Sequence, residues 1–226
     1  MTESEIRSAV AEAAKLAKAS NPLTPSITNT VTINFVANAQ LAVGGSAAMS
    51  YLPDECVTMA HAGAATYINV GTMMPIYAQT LPQTAAALHE EGKPWVLDPV
   101  AIGVGKLRTD MLLTFKEYKP SIIRGNASEV IALAGLWGLE GGSDTSEVRG
   151  VDSTDSVRAA KNAAVALARW TGGAVAVSGE EDMITDGRQI AISYGGSEMM
   201  PCITGTGCSL GGVMAVYAAV ADPFIA

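Results

Sequence analysis

The chain has 226 residues, with 14 basic and 22 acidic side chains and a formal net charge of −8. Hydrophobic residues make up 49% and charged ones 16%, which excludes intrinsic disorder, because disordered chains combine low hydrophobicity with high charge. The acidic balance, without any run of Lys or Arg, argues against nucleic acid as a partner. No stretch reaches ~18 consecutive apolar residues, so no membrane span is expected. The start, Met1-Thr2-Glu3-Ser4-Glu5, lacks the basic-then-apolar pattern of a secretory leader. Cys56, Cys202 and Cys208 are an odd number without paired spacing, and with His61 and His89 they match no zinc template. A reducing, cytoplasmic setting is expected.

In chain order, Thr2-Glu3-Ser4-Glu5 reads as a capping box. The helix it opens carries Ile6, Val10, Ala13, Ala14 and Leu16 near helical spacing and ends before Asn21-Pro22. Thr28-Asn29 predicts the cap of a second helix that runs through Leu41 and is closed by Gly44-Gly45. A short helix follows Pro53-Asp54, reaching Gly63. The segment Ala65-Thr66-Tyr67-Ile68-Asn69-Val70 reads as a strand. The pattern then repeats: a helix from about Pro75 to Glu90, strand Trp95-Val96-Leu97, a helix after Thr109, and strand Ser121-Ile122-Ile123. An Ala-rich helix from Asp155 to Trp170, capped among Asp152, Ser153 and Asp155, leads to strand Ala174-Val175-Ala176-Val177.

Four short apolar strands separated by helices predict an α/β fold, with a mostly parallel central sheet covered by helices on both faces. Beyond Val177, Met183-Ile184-Thr185 and the stretch from Gln189 to Ser193 flank a turn at Asp186-Gly187. That pattern predicts a hairpin, and so an antiparallel margin. Residues 138–151 are the one loop-rich stretch, and no linker or repeat divides the chain, so a single domain is expected. Asp222-Pro223 signals a helix start, and the reading expects helical residues beyond Ala226.

In parallel sheets ligands bind beyond the carboxyl ends of the strands. The four strands are followed by Gly71-Thr72, Asp98-Pro99-Val100, Arg124-Gly125-Asn126-Ala127-Ser128-Glu129 and Ser178-Gly179-Glu180. Such residues are also what ordinary turns require, but together they suit an anion accompanied by a divalent cation. The sharpest feature is Ile203-Thr204-Gly205-Thr206-Gly207-Cys208, leading into an apolar helix through Val220. Glycines at a helix N-terminus bare several amides at the positive end of the dipole, a nest for an oxyanion or a phosphoryl group. No Gly-Lys-Ser/Thr follows, so this is not a P-loop, and its spacing is not that of a dinucleotide fingerprint. Cys208 sits in the first turn, where the dipole favours a thiolate. It could act as a covalent nucleophile, though neither histidine is placed as its base. It could instead stand where a hydroxyl is activated toward phosphate, or pack as a small buried thiol.

Eight motifs in one order resemble the hydroxyethylthiazole kinase family of the ribokinase-like superfamily. They are Ile27-Thr28-Asn29-Thr30-Val31-Thr32, the 44–49 turn ending in Met49, Asn69-Val70-Gly71-Thr72, Leu97-Asp98-Pro99-Val100, Ile123-Arg124-Gly125-Asn126-Ala127-Ser128-Glu129, Gly150-Val151-Asp152-Ser153, Val177-Ser178-Gly179-Glu180 and Thr204-Gly205-Thr206-Gly207-Cys208. The resemblance spans roughly residues 20–221 and implies a ribokinase-like three-layer sandwich over residues 1–226, with one or two C-terminal helices lacking. It implies transfer of the ATP γ-phosphate to the primary alcohol of 4-methyl-5-(2-hydroxyethyl)thiazole with Mg²⁺, in a homotrimer with sites between subunits, within thiamine salvage. A related hydroxymethylpyrimidine-type kinase, or a catalytically weak nucleotide binder of the same fold, is the alternative.

By the same resemblance, Met49 and Gly205 contact the thiazole with Asn29 near it, and Arg124 and Ser178 bind ATP. Asp98 and Glu129 organise Mg²⁺ and phosphate, while Gly205, Thr206 and Gly207 form the anion hole. Cys208 takes the place of the aspartate base of sugar kinases. The chain departs from the family at Pro25-Ser26, where His-Cys is usual, and at Ala101, where Gly is usual.

Overall fold

The computed structural model describes residues 1–143 and 156–226. Helix α1 (Glu3–Ser20) begins with the capping box the sequence predicts: Thr2 Oγ1 accepts the Glu5 amide at 3.3 Å and the Glu5 carboxylate accepts the Thr2 amide at 2.6 Å. Its inner face differs from the expected one, because Ala13 and Ala17 are buried while Val10 and Leu16 remain exposed.

The segment between Pro22 and Thr28, to which the sequence assigns no element, is a strand, β1 (Leu23–Ile27), and the 44–49 turn contains another, β2 (Ser46–Met49). Helix α2 therefore begins only at Ile33 and runs to Ala42, with Thr32 and not Asn29 at its N-cap. Pro25 hides β1 from a sequence reading, because proline lacks the amide an interior strand uses. Here the second neighbour of β1 pairs only from Ser26 onward, and the pyrrolidine ring seats against Gly63, where a built Cβ would lie 2.5 Å from Pro25 Cδ.

The remaining elements follow in order: α3 (Pro53–Ala62), β3 (Thr66–Asn69), α4 (Tyr77–Glu90), β4 (Trp95–Asp98), α5 (Lys106–Tyr118), β5 (Ile122–Asn126), α6 (Ala127–Leu136), α7 (Lys161–Thr171), β6 (Ala174–Ser178), β7 (Glu181–Thr185), β8 (Ile190–Tyr194) and α8 (Thr206–Ala218). The sequence reading assigns no helix between Ile123 and residue 138, the interval that α6 fills. Its start is a second capping box, with Asn126 Oδ1 accepting the Glu129 amide at 2.9 Å and the Glu129 carboxylate accepting the Asn126 amide at 2.9 Å. The expected start of the Ala-rich helix at Asp155, its caps Asp152 and Ser153, and the motif Gly150-Val151-Asp152-Ser153 lie outside the described residues. Residues 157–160 form turns ahead of α7.

The strands make one sheet in the order β2-β1-β3-β4-β5-β6-β7-β8. Pairs from β2 to β6 are parallel, and β6-β7-β8 is the antiparallel margin the hairpin pattern predicts. One face packs on α3 to α7 through a core containing Ile68, Leu81, Trp95, Leu97, Leu112, Phe115 and Leu167. The other face packs on α2 and α8 through Val36, Tyr67, Val96, Ile122 and Ala215. Three layers result. Glycines let α8 lie close: a Cβ on Gly211 would fall 2.4 Å from the Tyr67 ring, and one on Gly212 would fall 2.8 Å from Val36. Among the described residues, no helix is long and apolar enough to cross a membrane.

Candidate active site

Side chains alternate across a strand, so Tyr67 and Asn69 share a face with Val96 and Asp98 and with Ile122 and Arg124. That face is the α8 side. On it the apolar row of Tyr67, Val96 and Ile122 belongs to the core, and the next row, at the carboxyl ends, is Asn69, Asp98 and Arg124. Ser178 ends β6 alongside. The sheet thus brings residues from four strands to one edge.

Asp98 is fully buried (0% exposed) and Arg124 nearly so (8%). The Arg124 guanidinium reaches both Asp98 oxygens at 3.4 Å and donates to Ser178 Oγ at 2.7 Å, while its Nε finds no partner among the described residues. Asp98 Oδ2 also accepts from the Tyr67 hydroxyl at 2.8 Å and from Asn69 Nδ2 at 2.9 Å. Burial raises the Asp98 carboxyl above its ordinary range, with Arg124, Tyr67 and Asn69 pulling the other way. Burial works against the charged Arg124, but Asp98 and Glu129 outweigh it and hold the guanidinium above its ordinary pKa.

Helix α8 opens onto this cluster. Gly205 sits at φ +96° as its N-cap, and no side chain caps the helix, so the first-turn amides are available to a ligand. Gly207 lies directly over Arg124, where a Cβ would come within 2.6 Å of both terminal nitrogens. The guanidinium therefore backs the amide nest from beneath, adding full positive charge to the partial charges of the helix end.

Cys208 is buried at this junction, and Asn69 Nδ2 donates to its Sγ at 3.3 Å. Here the structure corrects a sequence expectation. Burial, helped by Asp98, raises the Cys208 thiol, and the hydrogen bonds from Thr32 and Asn69 and the charge of Arg124 do not reverse the shift. A helix dipole is a partial charge, whereas removal from water penalises a whole one. The covalent-nucleophile reading also lacks a base. His61 pairs with Glu91 at the far end of α3, and His89 packs beside Tyr118.

Glu129 stands behind Asp98 as the capping residue of α6. Burial and the Asp98 charge push it up to about 7, although Arg124 and the Asn126 and Ala101 amides oppose the shift. A carboxyl raised from 4.5 to about 7 binds a proton on folding between those values, so its contribution to stability is present below about pH 4.5 and is lost as pH rises through 7. Glu129→Gln keeps the capping geometry and removes that loss. Urea denaturation without nucleotide or divalent cation should show the variant gaining on the wild type by more than about 1 kcal/mol between pH 4.5 and 8. Ala101, beside Glu129, adopts φ +57°, a left-handed conformation that glycine reaches without penalty.

The other expected residues fall close by. Asn29 Oδ1 accepts from the Val31 amide at 2.9 Å and from Thr72 Oγ1 at 3.2 Å. Its Nδ2 crowds Gly71, whose amide donates to Asn69 Oδ1 at 2.8 Å. Met49 ends β2, packs against the apolar cluster that includes Cys208, and borders a cavity of about 400 Å³ with Ser50, Asp54, Glu55, Thr58 and Met59. Pro25 and Ser26 are buried inside β1, and Ser26 is hydrogen-bonded by Gln40 Nε2 of α2 at 3.1 Å. The sequence reading gave no role to Tyr67 or Thr32. A tyrosine in an otherwise apolar buried strand was the available signal, because a buried hydroxyl needs a partner.

A parallel sheet with an antiparallel margin, an N-terminal helix nest and buried cation-carboxylate chemistry at the carboxyl edge define a ribokinase-like kinase. Solved structures agree on the fold, including a pyridoxal kinase from Bacillus subtilis (TM-score 0.62, 13% identity, covering 88% of this chain and 84% of that one). Residues 14–225 match the sequence profile described as the hydroxyethylthiazole kinase family, and the chain belongs to that family. It is 52% identical to a hydroxyethylthiazole kinase of Bifidobacterium longum subsp. infantis, over 99% of this chain and 77% of the relative. It superposes on the hydroxyethylthiazole kinase structure from Pyrococcus horikoshii OT3 with a TM-score of 0.83 at 32% identity, covering 96% of this chain and 78% of that one.

Proposed function

We propose that the chain transfers the γ-phosphoryl group of ATP to the primary alcohol of 4-methyl-5-(2-hydroxyethyl)thiazole, in thiamine salvage. The observation that carries this reading is Arg124 held between Asp98, Ser178 and the Gly205–Gly207 nest. In this reading Arg124 and Ser178 hold the triphosphate, Arg124 as a forked cation matched to phosphate oxygens. The amides of Gly205, Thr206 and Gly207 take the charge of the migrating group. Met49, Gly205 and Asn29 bound the thiazole. The buried positions of Pro25 and Ser26 favour the thiazole reading over a pyrimidine one, because the departure changes packing, of Pro25 against Gly63 and of Ser26 against Gln40 of α2, and not a substrate contact.

Among the described residues no cluster of three or more His, Cys, Asp or Glu forms a metal cage. Asp98 and Glu129 fit the sparser pattern of magnesium, which takes one or two carboxylates and completes its shell with water and phosphate oxygens. Bound there, the ion would neutralise phosphate charge. Assembly as a homotrimer with sites between subunits, and a cytoplasmic location, belong to the same proposal.

The transition state of phosphoryl transfer is loose, so positioning and charge neutralisation outweigh early deprotonation of the alcohol. A neutral thiol at 208 is compatible with that chemistry. Cys208→Ala should keep turnover within about a hundredfold of wild type, a loss at the low end for general-base removal, and Cys208→Asp should retain or raise it. Steady-state kinetics with a folded but wholly inactive Cys208→Ala protein would reject this role. The proposal itself is tested by ADP release across a panel of alcohols that includes hydroxyethylthiazole and hydroxymethylpyrimidine. No ADP with any of them rejects it.

A further inference from the structure

Tyr67 is a fully buried side chain that touches both halves of the site. Its hydroxyl donates to Asp98 Oδ2 at 2.8 Å and accepts from Asn69 Nδ2 at 2.9 Å. Its ring is the floor on which α8 rests at Gly211, where a Cβ would lie 2.4 Å from Cε2, 2.7 Å from Cζ and 2.8 Å from the hydroxyl oxygen. The hydroxyl is therefore pinned from the helix side by backbone and from the strand side by the carboxylate.

Asn69 completes the arrangement. Its Oδ1 is fixed by the Gly71 amide, so the Nδ2 group is turned toward Tyr67, Asp98 and Cys208 Sγ. With Tyr67, Asn69 and Arg124 converging on Oδ2, the other oxygen, Oδ1, has among the described residues only the 3.4 Å contact from Arg124. One oxygen is held by the hydroxyl and the amide, and both face the guanidinium.

We infer that Tyr67, supported by Asn69, is a positioning residue that fixes the rotamer of Asp98, and through Asp98 the Arg124 guanidinium, so that the cation and the α8 amides address the same phosphoryl group. The inference rests on the kinase reading above and adds a residue to it. A parallel strand covered on both faces needs no hydroxyl at this position. Any buried polar group must find a partner, but the partner here is the central carboxylate.

Tyr67→Phe removes one oxygen and keeps the ring under Gly211. It should lower kcat about tenfold, the effect of losing one hydrogen bond to a charged group, with KM for the alcohol and for ATP within twofold of wild type. In an Asp98→Asn background the same substitution should cost less than twofold, because the carboxylate it orients is gone. Thermal unfolding of each variant checks the fold. Should Tyr67→Phe not fold, Asn69→Ala reads the same arrangement through the same cycle. A Tyr67→Phe kcat within twofold of wild type, or an equal loss with and without the Asp98 carboxylate, overturns the inference. A wild-type protein with no kinase activity would overturn the functional reading instead, and the two failures are distinct.

Discussion

Arg124→Met should destabilise the fold by about 3 kcal/mol at pH 7 and lower turnover by at least about a thousandfold, two losses from one cause. Among the described residues the guanidinium is the only cation paired with Asp98, a carboxylate with no exposure to water. Removing it leaves an uncompensated charge whose remaining donors, Tyr67 and Asn69, are neutral. The stability deficit should shrink as pH falls, because a more strongly raised Asp98 takes up its proton and relieves the buried charge. The turnover deficit should not recover, because protonating Asp98 restores no positive charge for the phosphates. Arg124→Lys keeps a charge but not the fork that spans Asp98 and Ser178, and should fall between the two. Urea denaturation from pH 4 to 8 alongside steady-state kinetics checks all three statements. A stability deficit independent of pH would show that Asp98 is not the group left exposed.

Gly205→Ala should reduce kcat by about a hundredfold to a thousandfold, the effect of displacing one donor of an oxyanion hole. Two independent features make the position intolerant. Its φ of +96° is a conformation that side chains rarely adopt, and an added Cβ would lie 2.8 Å from Thr32 Cγ2. Relief of that contact must move either the start of α8 or the turn before α2, and both border Cys208. The control is Gly92→Ala. There φ is +63° but nothing lies within 4 Å of the added Cβ, so backbone strain of about 1 kcal/mol should appear in unfolding experiments with kcat unchanged. Equal kcat for Gly205→Ala and wild type would separate the nest from the chemistry.

The buried centre was legible in its parts. Asp98, Arg124, Ser178 and the glycines at 205 and 207 stand where strands end and a helix begins, and short-range patterns mark those positions. Their mutual contacts were not legible. Nothing local says that Gly207 covers the Arg124 guanidinium, or that Asn69, which also holds Asp98, meets Cys208 from 139 residues away in the chain. The charge state of Cys208 shows the same limit. Position in a first turn is a local property and favours the thiolate, whereas burial is set by everything packed around it, and burial wins.

What the sequence by itself determined is the alternation of helices with apolar strands, the antiparallel margin signalled at Asp186-Gly187, the capping box at Thr2, and the glycine-led start of the last long helix. Each is written within a few residues of chain, where side-chain periodicity and backbone conformational preferences act directly. Only the tertiary structure decided that Leu23–Ile27 and Ser46–Met49 are strands, and that Asn126 to Glu129 start a helix. Only it decided that Tyr67 joins α8 to Asp98. A parallel strand takes its hydrogen bonds from distant chain, and β1 with Pro25 within it becomes a strand because β2 and β3 lie on either side.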